Sequence, residues 1–116
     1  MRDACPAYME LREDEVLGSS MRYVRVDHGS SSIWVYIGDR EDYVLLEGLY
    51  CSCPSFAASL RKGGWGCKHL AGLKAAVRLG RFRSVEATPS EAVEMAVEAI
   101  SAGIAVSLRR RLARGG

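Results

Sequence analysis

The feature that most constrains this chain is a set of three cysteines and one histidine in two short stretches. The first reads C-x-C over 51–53 and the second C-x-H over 67–69, with thirteen residues between them. Three thiolates and one imidazole make a complete tetrahedral ligand set for zinc, which bonds sulfur at about 2.3 Å and nitrogen at about 2.0 to 2.1 Å. The spacing therefore predicts one structural zinc ion, held by Cys51, Cys53, Cys67 and His69.

Two simpler interpretations remain open. Free cysteines are often buried, so the three thiols and the histidine could be core residues without a metal. Four cysteines could also form two disulfides, but Cys5 lies far from the other three in the sequence. The crowding of the three cysteines beside a histidine favours a metal.

A complete set of four protein ligands also restricts the chemistry. A catalytic zinc keeps one position for water or substrate, whereas four protein ligands close the site. Outside this set, the sequence has neither a usable carboxylate cluster nor a Cys-His pair that could act as nucleophile and base. We therefore expect a protein that is not an enzyme and has no small-molecule substrate.

The ligand spacing also predicts the local backbone. Residues two apart on a helix point in nearly opposite directions, so Cys67 should precede a helix that His69 begins. A flat strand would hold the sulfurs of Cys51 and Cys53 too far apart for one ion, so the chain should turn there and open a short helix at Pro54.

Two helices should then flank the glycine-rich return over 63–66. Their apolar residues are Phe56 and Leu60 in the first, expected to pack on Leu70 and Leu73 of the second, whose stripe continues to Val77. Gly80 can end the second helix in the left-handed conformation.

The remaining segments give an α+β fold class. Before the ligands, 23–26, 33–37 and 43–46 are rich in β-branched and aromatic residues and are separated by short polar breaks with glycine, which predicts an antiparallel meander. A further helix is predicted at Tyr8–Leu17. We expect one domain over 1–116, with the meander leading into a zinc-binding core at 43–80 and then a long C-terminal helix.

That last helix is predicted over about 89–111. Thr88 can cap it, Pro89 suits its first turn, and Glu91 can return a bond to the cap residue. Its apolar stripe consists of Val93, Val97, Ile100, Ile104 and Leu108, with glutamates early and Arg109, Arg110 and Arg111 late, which suits the helix dipole. The default interpretation buries this stripe in the core, and the alternative offers it to a partner's groove.

Composition and hydrophobicity indicate the environment in which the protein is expected to function. No apolar run reaches the roughly 18 to 20 residues of a membrane span, and the N-terminus lacks a signal peptide's apolar stretch, so we expect a cytoplasmic, reducing environment. The chain contains no Asn and no Gln, which is one reported mark of proteins from thermophiles. The formal net charge of +2 is too small to predict nucleic-acid binding by itself.

The ligand pattern resembles the SWIM-type zinc fingers, whose motif is C-x-C, a variable spacer and C-x-H. Within that family, residues 51–57, 60–62 and 67–71 are most similar to the SWIM subunit of Shu-type complexes, which pairs with RecA-family recombinase paralogues. The resemblance covers 50 to about 79, and Gly72 stands where a larger apolar residue is expected in the family. It implies an adaptor in DNA recombination and repair that binds a RecA-family recombinase paralogue, and whether DNA is a second contact depends on the cations around the ligands.

The cations around the ligands have two interpretations. Three thiolates on a dication leave a charge of about −1, which Arg61, Lys62 and Lys68 could simply balance. Together with Lys74, Arg78 and Arg81 they could instead bind DNA phosphates, and Trp65 in its glycine-rich loop could stack on single-stranded bases. The alternative function is therefore a stand-alone nucleic-acid-binding SWIM zinc finger with no obligate protein partner.

Overall fold

The computed structural model describes residues 21–64 and 66–114. Within them lie five strands and four helices. In chain order these are β1 (Tyr23–His28), β2 (Ser31–Ile37), β3 (Asp42–Leu46), β4 (Tyr50–Cys51), α1 (Pro54–Arg61), α2 (Lys68–Leu79), β5 (Arg83–Glu86), α3 (Pro89–Ala102) and α4 (Val106–Ala113). Cys5, the predicted helix at Tyr8–Leu17 and Trp65 lie outside the described residues.

The strands form one sheet in the order β4-β3-β2-β1-β5. The predicted meander is confirmed, because β1 pairs antiparallel with β2 and β2 with β3. Two strands were not predicted: the two-residue β4, and β5, which runs parallel to β1. The sequence of β5, RSVE, shows no clear alternation of apolar and polar residues, and only Val85 in it is buried.

Side chains that alternate along the strands divide the core into two clusters. Tyr23, Trp34 and Leu45 point to one face, where they pack with the three cysteines of the predicted metal site and with α1 and α2. The valines of the same strands point to the other face, where they pack against α3 and α4. The sheet is thus covered on both faces, and we call the layer of α1 and α2 the zinc layer.

The predicted C-terminal helix is divided in two. The capping box at its start is present, since Glu91 N–H donates to the Thr88 hydroxyl (3.1 Å) and Thr88 N–H to the Glu91 carboxylate (2.9 Å). However, α3 ends at Gly103, whose φ of 81° is left-handed and suits glycine. The chain then turns back as α4, so residues before and after Gly103 do not share one helical face.

This division makes the predicted buried stripe wrong. Val93, Val97 and Ile100 are 61%, 54% and 57% exposed, whereas Leu108 on α4 is fully buried. The buried face of α3 is formed by the small Ala92 and Ala99 with Met95 between them. Small side chains let the helix backbone approach the sheet closely, which a hydrophobicity pattern alone does not reveal.

An ion pair between the buried Asp42 and the partly exposed Arg109 holds the corner between α3 and α4. Asp42, at the start of β3, is fully buried and accepts hydrogen bonds from Arg109 Nε (2.9 Å), Arg109 Nη2 (2.6 Å) and Ala105 N–H (2.8 Å). These bonds raise the pKa of Arg109. The prediction that Arg109 serves the helix dipole therefore missed its main partner, because Asp42 is 67 residues away in the sequence.

Among the described residues, no helix combines the length and the apolar character that crossing a membrane requires.

Candidate metal centre

The fold brings the four predicted ligands to one place. The Sγ atoms of the three cysteines and a ring nitrogen of His69 all lie within 4.8 Å of one another. All three cysteines are buried and His69 is partly buried. No disulfide joins these three thiols, so all of them are available as ligands.

The C-x-C stretch is positioned by the edge of the sheet. Cys51 pairs with Leu45 in β4, and Ser52 extends the pairing through two bonds to Val44. Ser52 N–H donates to the Val44 carbonyl, and Val44 N–H donates to the Ser52 hydroxyl, both at 2.9 Å. Cys53 then caps α1, with Pro54 in its first turn, so the predicted turn and short helix are confirmed.

The C-x-H stretch is positioned by the start of α2. Cys67 is the extended residue that caps this helix, and His69 lies in its first turn, as the spacing predicts. The helix ends at Gly80 in the left-handed conformation, also as predicted. Both cysteine-capped helices therefore direct their N-terminal N–H groups toward the ligand cluster, which favours negative charge on the sulfurs.

The predicted packing between α1 and α2 is partly wrong. Phe56 is buried in the same cluster as Leu73, but Leu60 is 43% exposed. The buried face of α1 is formed by Phe56 and Ser59 and does not include Leu60.

Tyrosines surround His69 on the sheet side. Its imidazole lies 4.7 Å from the ring of Tyr36 and 4.9 Å from that of Tyr43, measured between ring centroids. The buried Tyr23 donates a hydrogen bond of 2.8 Å to the His69 carbonyl. The Nδ1 atom of His69 is buried and finds no hydrogen-bond partner in the described part of the chain, which fits a ring whose polar partner is a metal ion.

Gly72 allows Tyr23 to reach this position. A Cβ atom on Gly72 would lie 2.3 Å from the Tyr23 hydroxyl oxygen and 3.3 Å from its Cζ. The resemblance led us to expect a larger apolar residue at this position, and the structure gives a local reason for glycine, because the Tyr23 hydroxyl group occupies the space that a side chain would need. The sequence pattern did not single out Tyr23, Tyr36 and Tyr43 as supports of the site, since they become neighbours only once the strand register is known.

The thiols are electrostatically coupled. Hydrogen bonds with the other two thiols lower the pKa of Cys53, and the backbone N–H of Phe56 lowers it further. The pKa of Cys51 is raised, because its thiol donates to the other two sulfurs and is buried. A metal-free cluster thus keeps protons that a divalent ion must displace, so zinc affinity should fall as pH falls.

The six cations predicted near the site are all exposed. Arg61 and Lys62 end α1 and Lys68 begins α2. Lys74 and Arg78 lie four residues apart on α2, and Arg81 follows its Gly80 cap. The cations thus share the zinc layer but are spread over two helices and their ends.

The donor set, its burial and the unpartnered imidazole nitrogen define a closed site that fits one structural zinc ion. Residues 33–77, which contain all four ligands, match the family model of the SWIM zinc finger. The match runs from β2 into α2 and covers less than half of the chain. No curated protein and no solved structure shows a significant similarity to this chain.

Proposed function

We propose that the protein is a non-enzymatic adaptor of DNA recombination and repair that binds a RecA-family recombinase paralogue. The main support is the resemblance of the sequence around the ligands, over 51–57, 60–62 and 67–71, to the SWIM subunit of Shu-type complexes. In this proposal zinc holds the fold, and partner binding is the function.

The closed donor set supports a role without catalysis. Three cysteines and a histidine fill the four positions of a tetrahedral ion, so water or substrate has no position left on it. When bound, zinc would stabilise the turn at Cys53 and the start of α2, which lie at the two ends of the segment that contains α1.

The test is affinity capture of the full-length, zinc-loaded chain from lysate of its source organism, with a RecA-like ATPase identified by mass spectrometry. The Cys67→Ser variant should lose the ATPase together with zinc, and Cys5→Ser is the matched control for loss of a thiol outside the cluster. Reproducible absence of a RecA-like ATPase from the wild-type capture would contradict the proposal.

A second candidate function is direct nucleic-acid binding by the zinc layer. Residues 48–85 contain no Asp or Glu, while they carry seven cations: Arg61, Lys62, Lys68, Lys74, Arg78, Arg81 and Arg83. Such a one-signed surface attracts phosphates. Phosphate binding by these cations would suit an adaptor that also binds its protein partner, and it would equally suit a stand-alone zinc finger.

The test of this candidate is the salt dependence of binding to a fluorescent single-stranded oligonucleotide. A Lys74→Ala/Arg81→Ala variant should weaken binding and reduce the salt slope by about 1 for each phosphate that the variant can no longer bind. Arg40→Ala, which removes an exposed cation from the β2–β3 turn, should leave the slope unchanged. Equal slopes for all three proteins would contradict the assignment.

A further inference from the structure

The exposed side of α2 carries three cations at helical spacing. Lys74 and Arg78 lie one helical turn apart, and Arg81 follows beyond the Gly80 cap. All three are exposed, and we call them the α2 cation row. Neither Lys74 nor Arg81 forms an ion pair with another described residue, whereas acidic residues elsewhere pair with other arginines: Arg22, Arg25, Arg109 and Arg111. The row therefore attracts a negatively charged segment.

The N-terminal segment 1–20, which lies outside the described residues, has the opposite charge. Its side chains include five Asp or Glu and two Arg, which gives a net charge of −3. In the helix predicted at Tyr8–Leu17, Glu10 and Asp14 lie four residues apart and therefore on one face, with Glu13 next to them. This predicted acidic face repeats once per helical turn, as the α2 cation row does.

The chain joins this segment to the sheet near the C-terminal end of α2. Strand β1 pairs in parallel with β5, and Val24 is the partner of Arg83. The residues that lead into the two strands therefore lie at the same end of the sheet, and those before β5 directly follow α2. Met21, whose φ of 57° is left-handed, bends the chain just before β1. The segment thus begins its path close to Arg81.

The segment is also long enough to lie along the α2 cation row. A helix of ten residues is about 15 Å long, and the three residues 18–20 span at most about 10 Å. The row itself extends over about 10 Å, since Lys74 and Arg81 are seven residues apart. A linker this short keeps the acidic face at a high effective concentration beside the cations.

We propose that the acidic face of segment 1–20 binds the α2 cation row of the same chain, with Glu10 toward Lys74 and Asp14 toward Arg81. Nucleic acid would then have to displace the segment in order to bind the row. The contact itself depends on neither proposed function, whereas its effect on nucleic acid rests on direct nucleic-acid binding by the zinc layer.

The first test measures amide hydrogen exchange of residues 8–17 by mass spectrometry, at low salt, in the full-length, zinc-loaded chain. Glu10→Gln/Asp14→Asn should speed this exchange by about three- to tenfold, because the predicted helix loses the ion pairs that hold it. Lys74→Ala/Arg81→Ala should have the same effect. Combining the four substitutions should add little, since each pair of substitutions removes the same contact.

The control variant, Asp3→Asn/Glu15→Gln, loses the same charge from outside the acidic face and should exchange like the wild type. Equal exchange in the wild type and in Glu10→Gln/Asp14→Asn, or strictly additive effects of the two pairs, would overturn the proposal. So would protection of 8–17 that rises with protein concentration together with a dimer in sedimentation, because the segment of a second copy would then occupy the row.

The second test compares the two acidic-residue variants in binding to a fluorescent single-stranded oligonucleotide. They have the same net charge, so general attraction to phosphates changes equally in both. Glu10→Gln/Asp14→Asn should bind about three- to tenfold more tightly than the control variant, because its segment 1–20 no longer competes for the cations. Equal affinities would overturn the competition. If none of the proteins binds the oligonucleotide while hydrogen exchange follows expectation, nucleic-acid binding is rejected and the contact with α2 stands.

Discussion

The two faces of the sheet are covered by layers that are held in different ways. The zinc layer consists of helices of eight and twelve residues joined by a glycine-rich return, and its core includes three cysteines. The opposite layer packs valines of the sheet against alanines, Met95 and Leu108. The core of one face is therefore built around the four candidate zinc ligands, whereas apolar packing and the Asp42–Arg109 ion pair hold the other.

The layers also differ in charge. The zinc layer belongs to a 38-residue stretch, 48–85, without a single acidic residue, whereas the opposite layer combines three glutamates on α3 with four arginines at and after α4. In that layer opposite charges lie close together, as Glu91 and Arg111 do at 4.0 Å. The cations of 48–85 have no acidic residue beside them in the sequence, a difference that the net charge of the chain does not reveal.

The largest expected effect tests the dependence of the zinc layer on its ion. Cys67→Ser should abolish stoichiometric zinc and lower the free energy of unfolding by more than about 4 kcal/mol, since metal binding contributes directly to folding. Zinc content by mass spectrometry and thermal unfolding check this, with Cys5→Ser as the control. A metal-free but equally stable variant would remove the distinction between the two layers.

The next effect tests the corner of the opposite layer. Asp42→Asn should lower stability by about 2 to 4 kcal/mol, because Arg109 loses its charge partner and an amide has fewer acceptor lone pairs for the donors around Asp42. Zinc content should stay unchanged, since the corner lies on the other face. Denaturant unfolding and metal analysis together check both statements, and zinc loss in this variant would show that the layers are coupled.

A smaller effect tests how the sheet supports the metal site. Gly72→Ala should cost about 1 to 3 kcal/mol, because the new Cβ would overlap the Tyr23 hydroxyl. Adding Tyr23→Phe removes the closest contact and should recover part of the lost stability. Tyr23→Phe alone should lower stability by about 1 kcal/mol, because it removes the hydrogen bond to the His69 carbonyl. Denaturant unfolding of the four proteins gives the coupling energy, and strictly additive losses would contradict the steric explanation.

The smallest expected effect concerns the exposed apolar side chains of α3. Val97→Ser should change stability by less than about 0.5 kcal/mol, because Val97 is mostly exposed. Val35→Ala, at a fully buried position in the same layer, should cost about 2 kcal/mol. Comparable losses of stability in the two variants, measured by thermal unfolding, would mean that Val97 belongs to the core.

Much of the zinc layer could be predicted because its signals are local. The C-x-C and C-x-H spacings fix the ligand number, the turn after Cys51 and the helix that begins beside Cys67. The capping box at Thr88 and the left-handed Gly80 are local in the same sense, since each depends on residues within a few positions. The three-stranded meander follows from alternating apolar runs with short turns between them.

The tertiary structure alone decided which side of each helix is buried and which distant residues meet. Val93, Val97 and Ile100 look like a core stripe, but Gly103 ends the helix and the small Ala92 and Ala99 pack closer to the sheet. Asp42 and Arg109, or Tyr23 and Gly72, become partners only when strand register and helix placement are set. The sequence determined the chemistry of the metal site, because ligand spacing is local, whereas burial and pairing depend on contacts between segments far apart in the chain.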